Sequence, residues 1–298
     1  MKKSVKGASR AAPKALQSGT DGAKGTRIGA TAKSDLTKLP KIISILNQKG
    51  GVGKTTTSLN LGAGLAMSGL KVLLIDLDVQ CNLTHMSIGD LGEGDRSICE
   101  AMLEEKGLDN VIRETSTKGL YIAPAGESLI ALEINLANMI GRENVLSHSL
   151  KLTKGLRQFD VVIIDNPPFV SLTTLNSLVA SDFYLVPLSC EYLPMLGLKW
   201  LNRTVEKVKK LNPRLAPIGV ALTMYDQRQA ITKSVEELVR EELGDLVFET
   251  RIRISTKHKT APTVQKTIFQ YDPKGKGSVD YMGLTNEVIR RLGHEQEG

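Results

Sequence analysis

The sequence predicts an α/β fold built on a doubly wound, mostly parallel sheet flanked by helices, and three observations predict it. Strand-like and helix-like runs alternate along most of the chain. The strand cores, such as VLLID at 72–76 and VVIID at 161–165, are nearly continuous in Val, Ile and Leu. Such runs suit strands covered by helices on both faces, which is the condition of a parallel sheet. A glycine-rich segment, NQKGGVGKTTT at 47–57, stands between the first strand-like run and the first helical one. In sheets of this kind a ligand site lies at the carboxyl ends of the strands, so the segment is in the right place for one.

The elements follow in order. Runs rich in β-branched residues predict strands at 41–46, 71–76, 119–123, 160–165, 183–188, 217–224 and 246–249. Apolar residues at helical spacing predict helices over 59–69, 97–107, 128–140, 144–156, 194–211, 230–244 and 279–293, several of them stopped by Gly. There is no internal repeat. One domain over 40–298, preceded by a tail over 1–39, fits the length of 298 residues.

Composition narrows the setting. Cys81, Cys99 and Cys190 form no C-x-x-C pair and are odd in number. That count argues against a disulfide scaffold and for a reducing cytosol, with each thiol expected to be a small buried hydrophobe. Lys2 and Lys3 are not followed by an apolar core of a signal peptide, and no apolar run of about 18 residues occurs, so a cytoplasmic protein is expected. The net charge of +7 is concentrated in residues 1–39, which hold nine basic and two acidic side chains; the remainder is balanced at 30 against 30. That segment is rich in Ala, Gly, Ser and Thr and lacks aromatics, so it is expected to be a disordered basic tail that contacts nucleic acid or an acidic partner, or that serves as a solubilising leader.

The glycine-rich segment is read as a phosphate cradle. Gly50, Gly51 and Gly53 let the backbone turn tightly and aim amide groups at one anion, and the helix opening near Lys54 adds its positive dipole end. Lys54 is expected against the β- and γ-phosphates and the Thr55 hydroxyl on Mg²⁺, with Lys49, Gly50, Gly51, Val52, Gly53 and Thr56 completing the cofactor-binding loop. Gln48 stands where the general G-x-x-x-x-G-K-[ST] pattern has its first glycine, and Lys49 adds a second lysine ahead of Gly50.

With these residues the chain resembles the ParA/MinD group of deviant Walker A ATPases, and more particularly the partition ParA (Soj-like) branch. The resemblance runs from about Lys41 to about Leu292, through KVLLIDLDVQCNLT (71–84), FDVVIIDNPP (159–168), YLVPLSCEY (184–192), GVALTMYD (219–226) and YDPKGKGSVDY (271–281). It implies an ATP- and Mg²⁺-dependent homodimer that hydrolyses ATP slowly until a ParB-like or other cargo adaptor stimulates it. It also implies non-specific DNA binding and a nucleoid-associated location. Two ATP molecules would be sandwiched between subunits, with Lys49 reaching the triphosphate of the facing subunit and acting like an arginine finger.

Two further strands bring carboxylates to the same edge. Period-2 alternation sends Asp76 and Asp78 to one side at the end of the second strand. By resemblance to the family's D-x-D-P-Q, Asp78 orients the attacking water and Asp76 lies near the metal-bound water; Val79 replaces the usual proline. Asp165 resembles the Walker B aspartate that holds Mg²⁺ through water, followed by Asn166 where the family more often has Cys, Thr or Ala. An isolated Asp after a strand is otherwise a turn or cap residue.

Residues 251–276 gather Arg251, Arg253, Lys257, His258, Lys259, Lys266, Lys274 and Lys276 against Asp272 alone. The cluster reads as a phosphate-contacting stripe, and Lys257 and Lys276 match basic positions at which family members bind DNA. The alternative is a MinD-like membrane-associated ATPase. Leu284, Val288, Ile289 and Leu292 form an apolar stripe, but it is short, lacks Trp or Phe and is followed by Glu295 and Glu297. It is read as a packing helix, not a lipid-seeking one, and membrane contact is not expected.

Overall fold

The computed structural model describes residues 39–126, 128–190 and 203–294. The predicted basic tail lies outside the described residues except for Leu39, as do residues 194–202 of one predicted helix. Among the described residues eight strands form one sheet: β1 (Lys41–Ile45), β2 (Val72–Asp76), β3 (Arg113–Glu114), β4 (Leu120–Ala123), β5 (Val161–Asp165), β6 (Phe183–Ser189), β7 (Ala216–Tyr225) and β8 (Val247–Arg253). Their order is β3-β4-β2-β5-β1-β6-β7-β8, and every pairing is parallel except the short β3 against β4. The doubly wound, mostly parallel sheet expected from the strand composition is therefore present.

The helices are α1 (Lys54–Met67), α2 (Asn82–Ile88), α3 (Ile98–Leu103), α4 (Leu129–Ala137), α5 (Val145–Leu152), α6 (Leu172–Ala180), α7 (helical residues 203–208), α8 (Ala230–Leu243), α9 (Lys257–Thr263), α10 (Ile268–Tyr271) and α11 (Lys276–His294). Strand alternation divides the core between the two faces. In β2, Val72 and Leu74 join one cluster with α1 and α11, while Leu73 and Ile75 join another with α3, α4 and α5. β5 divides its residues likewise, Val161 and Ile163 to the first face and Val162 and Ile164 to the second. Each such side chain removed from water contributes about 1.5–3 kcal/mol, which is why the strand runs lack polar residues until Asp76 and Asp165.

Three sequence expectations need correction. The strand predicted at 246–249 extends to Arg253, so Arg251 and Arg253 of the basic stripe belong to β8. α2, α6, α9 and α10 lie in segments where no helix was expected, because runs of four to nine residues give few turns for a periodic signal. Cys81 is half-buried with φ 51 at the start of α2, unlike the buried Cys99 and Cys190; none of the three is in a disulfide. The apolar stripe of α11 packs inward as expected: Leu284 and Val288 are buried, with Ile289 and Leu292 partly buried against the same cluster. Among the described residues no helix is long and apolar enough to cross a membrane.

Candidate functional site

The sheet order places β1 between β5 and β6, with β2 beyond β5, so the carboxyl ends of β1, β2 and β5 are neighbours. Register then aligns the chemistry. Ile45 is paired with Asp165, and Asp165 with Asp76, so both carboxylates lie on one rung beside the loop that leaves β1. The three strands also end together, with Ile45, Asp76 and Asp165 as their last residues.

The loop itself is fixed by side chains on either side. Asn47 donates from Nδ2 to the Pro187 carbonyl at 2.8 Å and accepts the Lys49 amide at Oδ1 at 2.9 Å. Thr223 on β7 donates its hydroxyl to the Val52 carbonyl at 2.9 Å. Gly51 and Gly53 have φ of 73 and 86, a region costly to residues with a Cβ. Gly53 is also the N-cap of α1 and has no side chain to satisfy the first-turn amides, which leaves them for an anion. Neither Asn47 nor Thr223 was singled out in the sequence, since their contacts join segments 140 and 171 residues apart.

Lys54 opens α1 and is buried. Burial pulls its pKa down, opposed by the negative charges of Asp165 and Asp78. Lys49, by contrast, is exposed together with Gly50 and Gly51. Thr55 and Thr56 are half-buried on the first turn.

The carboxylates are not equivalent. Asp165 is fully buried, and its Oδ1 accepts the Ser58 hydroxyl at 2.8 Å, while Oδ2 has no partner. Burial and the neighbouring charge of Asp76 push its pKa up to about 7, against hydrogen bonds from Thr55 and Ser58. Asp76 is fully buried as well, but its oxygens are engaged: Oδ1 accepts the Asp78 amide at 3.1 Å, and Oδ2 accepts the Thr84 amide at 2.9 Å and hydroxyl at 2.8 Å. Burial raises it to about 6. Asp76 thus fastens the segment carrying Asp78 to α2, a structural duty not read from the sequence. Asp78 is buried and its Oδ1 accepts the Gln80 amide at 3.0 Å, the local turn bond that an Asp after a strand commonly makes.

Among the described residues no group of three or more His, Cys, Asp or Glu side chains could hold a metal by itself. The donors that fit a hard cation are the Thr55 hydroxyl and the unpartnered Asp165 Oδ2. A hydroxyl with one carboxylate suits Mg²⁺ sharing its remaining positions with phosphate oxygens and water.

The expected basic stripe is partly dismantled. Arg251 is within 2.6 Å of Glu236 on α8, and Arg253 grips Asp280 on α11, so both tie β8 to helices. His258 is not a surface cation: its ring meets Tyr281 edge-on at 5.5 Å, and burial pulls its pKa down. Lys257 pairs with Asp272 at 2.7 Å. Lys259, Lys266, Lys274 and Lys276 remain exposed. The same region is connected to the P-loop helix, since the Tyr281 and Thr57 hydroxyls lie 3.3 Å apart. α1 and α11 also approach closely enough that a Cβ on Gly64 would fall 2.2 Å from Thr285 Oγ1.

A parallel sheet whose first strand feeds a glycine loop and a Lys-Thr helix start, with an acidic residue ending the adjacent strand, defines a P-loop protein. Comparison with known proteins narrows the class. The profile of the AAA domain matches residues 40–217. Over 253 residues the chain is 38% identical to the chromosome partitioning protein ParA of Caulobacter vibrioides, covering 84% of this chain and 94% of that one. It is 40% identical over 249 residues to the sporulation initiation inhibitor protein Soj of Bacillus subtilis, covering 83% and 98%. A solved structure described as cobyrinic acid a,c-diamide synthase from Mycobacterium smegmatis, with bound ADP and magnesium, matches with a TM-score of 0.74 and 32% identity over 86% of this chain and 96% of that one. The chain belongs to the ParA/MinD family of P-loop proteins.

Proposed function

We propose that this protein is a partition or positioning ATPase: it binds Mg-ATP at the loop 47–57, dimerises around it, binds DNA without sequence preference and moves a cargo. The observation that carries the proposal is the meeting at one sheet edge of the uncapped α1 start, the buried Lys54 and the unpartnered Asp165 oxygen. The names and bound ligands of its relatives, chromosome partitioning and ADP with magnesium, agree with this reading.

The roles follow from position. Amides of residues 50–55 and the Lys54 ammonium take the phosphates, and filling the site with their negative charge favours the ammonium form of Lys54, which burial alone disfavours. Thr55 and Asp165 would hold Mg²⁺, which neutralises charge on the transferred phosphoryl group; the cation also favours ionised Asp165. Asp78 stands beside Lys54 on a segment fastened by Asp76, a placement suited to orienting water. Lys49 is exposed at the mouth of the loop, where a second subunit can present its own triphosphate. A site completed by a second subunit turns over slowly alone and faster when a ParB-like or other adaptor stabilises the closed form. The cytoplasm, on the nucleoid, is the location that DNA binding implies.

The test is nucleotide binding and phosphate release by the full chain with and without Mg²⁺. ATP hydrolysis should require Mg²⁺, and Lys54→Ala should weaken ATP binding by at least about tenfold, the loss of one charge-assisted phosphate contact. Equal ATP affinity in wild type and Lys54→Ala contradicts the proposal.

A further inference from the structure

A cavity opens at the amino ends of the strands, at the opposite edge of the sheet from the P-loop. Its volume is about 630 Å³, and it forms where the start of β1 meets α5, the turn after α5, the end of α6 and the chain ahead of β7. Lys41, Lys151, Lys154, Arg157 and Arg214 line it, with Asp182 as the one acidic residue among the lining. That carboxylate is engaged, since Oδ2 accepts the Ile42 amide at 2.9 Å. Lys151, Lys154, Arg157 and Arg214 are exposed, and Lys41 lies over the Phe183 ring at 5.6 Å. Ile42, Leu150 and Leu156 give the same cavity an apolar wall.

Lys41, Lys151, Lys154 and Arg214 drawn around one concavity repel one another, and Asp182, engaged with the Ile42 amide, and Asp109, engaged with the Lys154 and Gly155 amides, offset only part of that. A multiply charged anion would remove the repulsion. The volume lies within the range of about 300–1,000 Å³ usual for small-molecule sites, which also combine apolar walls with a few placed charges. A duplex backbone, being convex, would meet the rim and leave the apolar wall uncovered.

We propose that this cavity binds a small organic polyanion carrying a di- or triphosphate, with its phosphates on the Lys151, Lys154 and Arg214 rim and its ring against Ile42 and Leu150. The site is separate from the P-loop and does not depend on the reading given to it.

Lysine acetylation of the full chain, read by mass spectrometry at constant ionic strength, tests this with inorganic tripolyphosphate as the probe. Modification of Lys151 and Lys154 should slow roughly tenfold when the site is about nine-tenths filled. The protection should persist in Lys54→Ala, in which the P-loop contact is removed. Arg214→Glu should abolish it while leaving the unfolding midpoint and the protection of Lys54 unchanged. Absence of protection overturns the proposal, as does protection that disappears in Lys54→Ala, because the effect would then come from the P-loop. Protection by duplex DNA but not by tripolyphosphate also overturns it and makes the rim a nucleic-acid contact.

Discussion

Replacing Asp165 by Asn should make the nucleotide-free protein more stable at alkaline pH, although it removes a carboxylate proposed to hold Mg²⁺. The Asp165 carboxyl is fully buried with one oxygen unpartnered, and its pKa rises from 3.8 to about 7. A carboxyl raised on folding contributes stability that is fully present below its unfolded pKa and is lost as pH rises through its folded one. The window is therefore about pH 4 to 7, and at about 1.36 kcal/mol per pH unit the ionised group costs the empty protein about 4 kcal/mol at pH 8. Asn keeps an acceptor for the Ser58 hydroxyl but brings an amide that needs its own partner, a loss of about 1–2 kcal/mol. The net gain expected is about 2 kcal/mol at pH 8, shrinking to nothing or reversing at pH 4. Urea unfolding of both proteins at the two pH values, without nucleotide or metal, measures it. Equal destabilisation of Asp165→Asn at both pH values would refute the reasoning, because the buried charge would then carry no penalty.

Other consequences concern the two surfaces. Lys49→Gln should bind nucleotide with near-normal affinity yet neither dimerise with ATP nor hydrolyse it; equilibrium binding with light scattering checks this, and wild-type dimerisation by the variant ends the case for a lysine acting across the interface. DNA binding should need ATP and fall steeply with salt, and Lys257→Glu with Lys276→Glu should weaken it while sparing the ATP dimer. Of the two alanine variants, Lys276→Ala should lose more affinity in filter binding, because Lys257 already pairs with Asp272; a larger loss for Lys257→Ala counts against that order.

Much of the fold could be read in the chain because strands buried on both faces must be written in Val, Ile and Leu. VLLID and VVIID could hardly be placed elsewhere. β3, with two residues, and α2, with seven, carried too little pattern to be seen. The phosphate loop was legible because its requirements are local: glycines at the turn and Lys-Thr at the helix start. What fastens the loop was not, since Asn47 reaches Pro187 and Thr223 reaches Val52 only after the strands have paired. The basic stripe misled for the same reason. Counting charge along 251–276 found Asp272 but missed Glu236 and Asp280, which the fold brings against Arg251 and Arg253. Asp76 likewise looked like a metal neighbour, yet its oxygens hold Asp78 and Thr84 in place.

If nucleotide state controls assembly through the carboxylate-flanked loop, as proposed, the mass of Asp78→Ala in solution must change with the nucleotide. Removing Asp78 leaves the loop amides, Lys54, Thr55 and Asp165 intact, so the proposed phosphate contacts should remain while the proposed water orientation is lost. Light scattering should give a stable dimer with Mg-ATP and a monomer with ADP or without nucleotide. A monomer under all three conditions, with hydrolysis at the wild-type rate, would contradict the account.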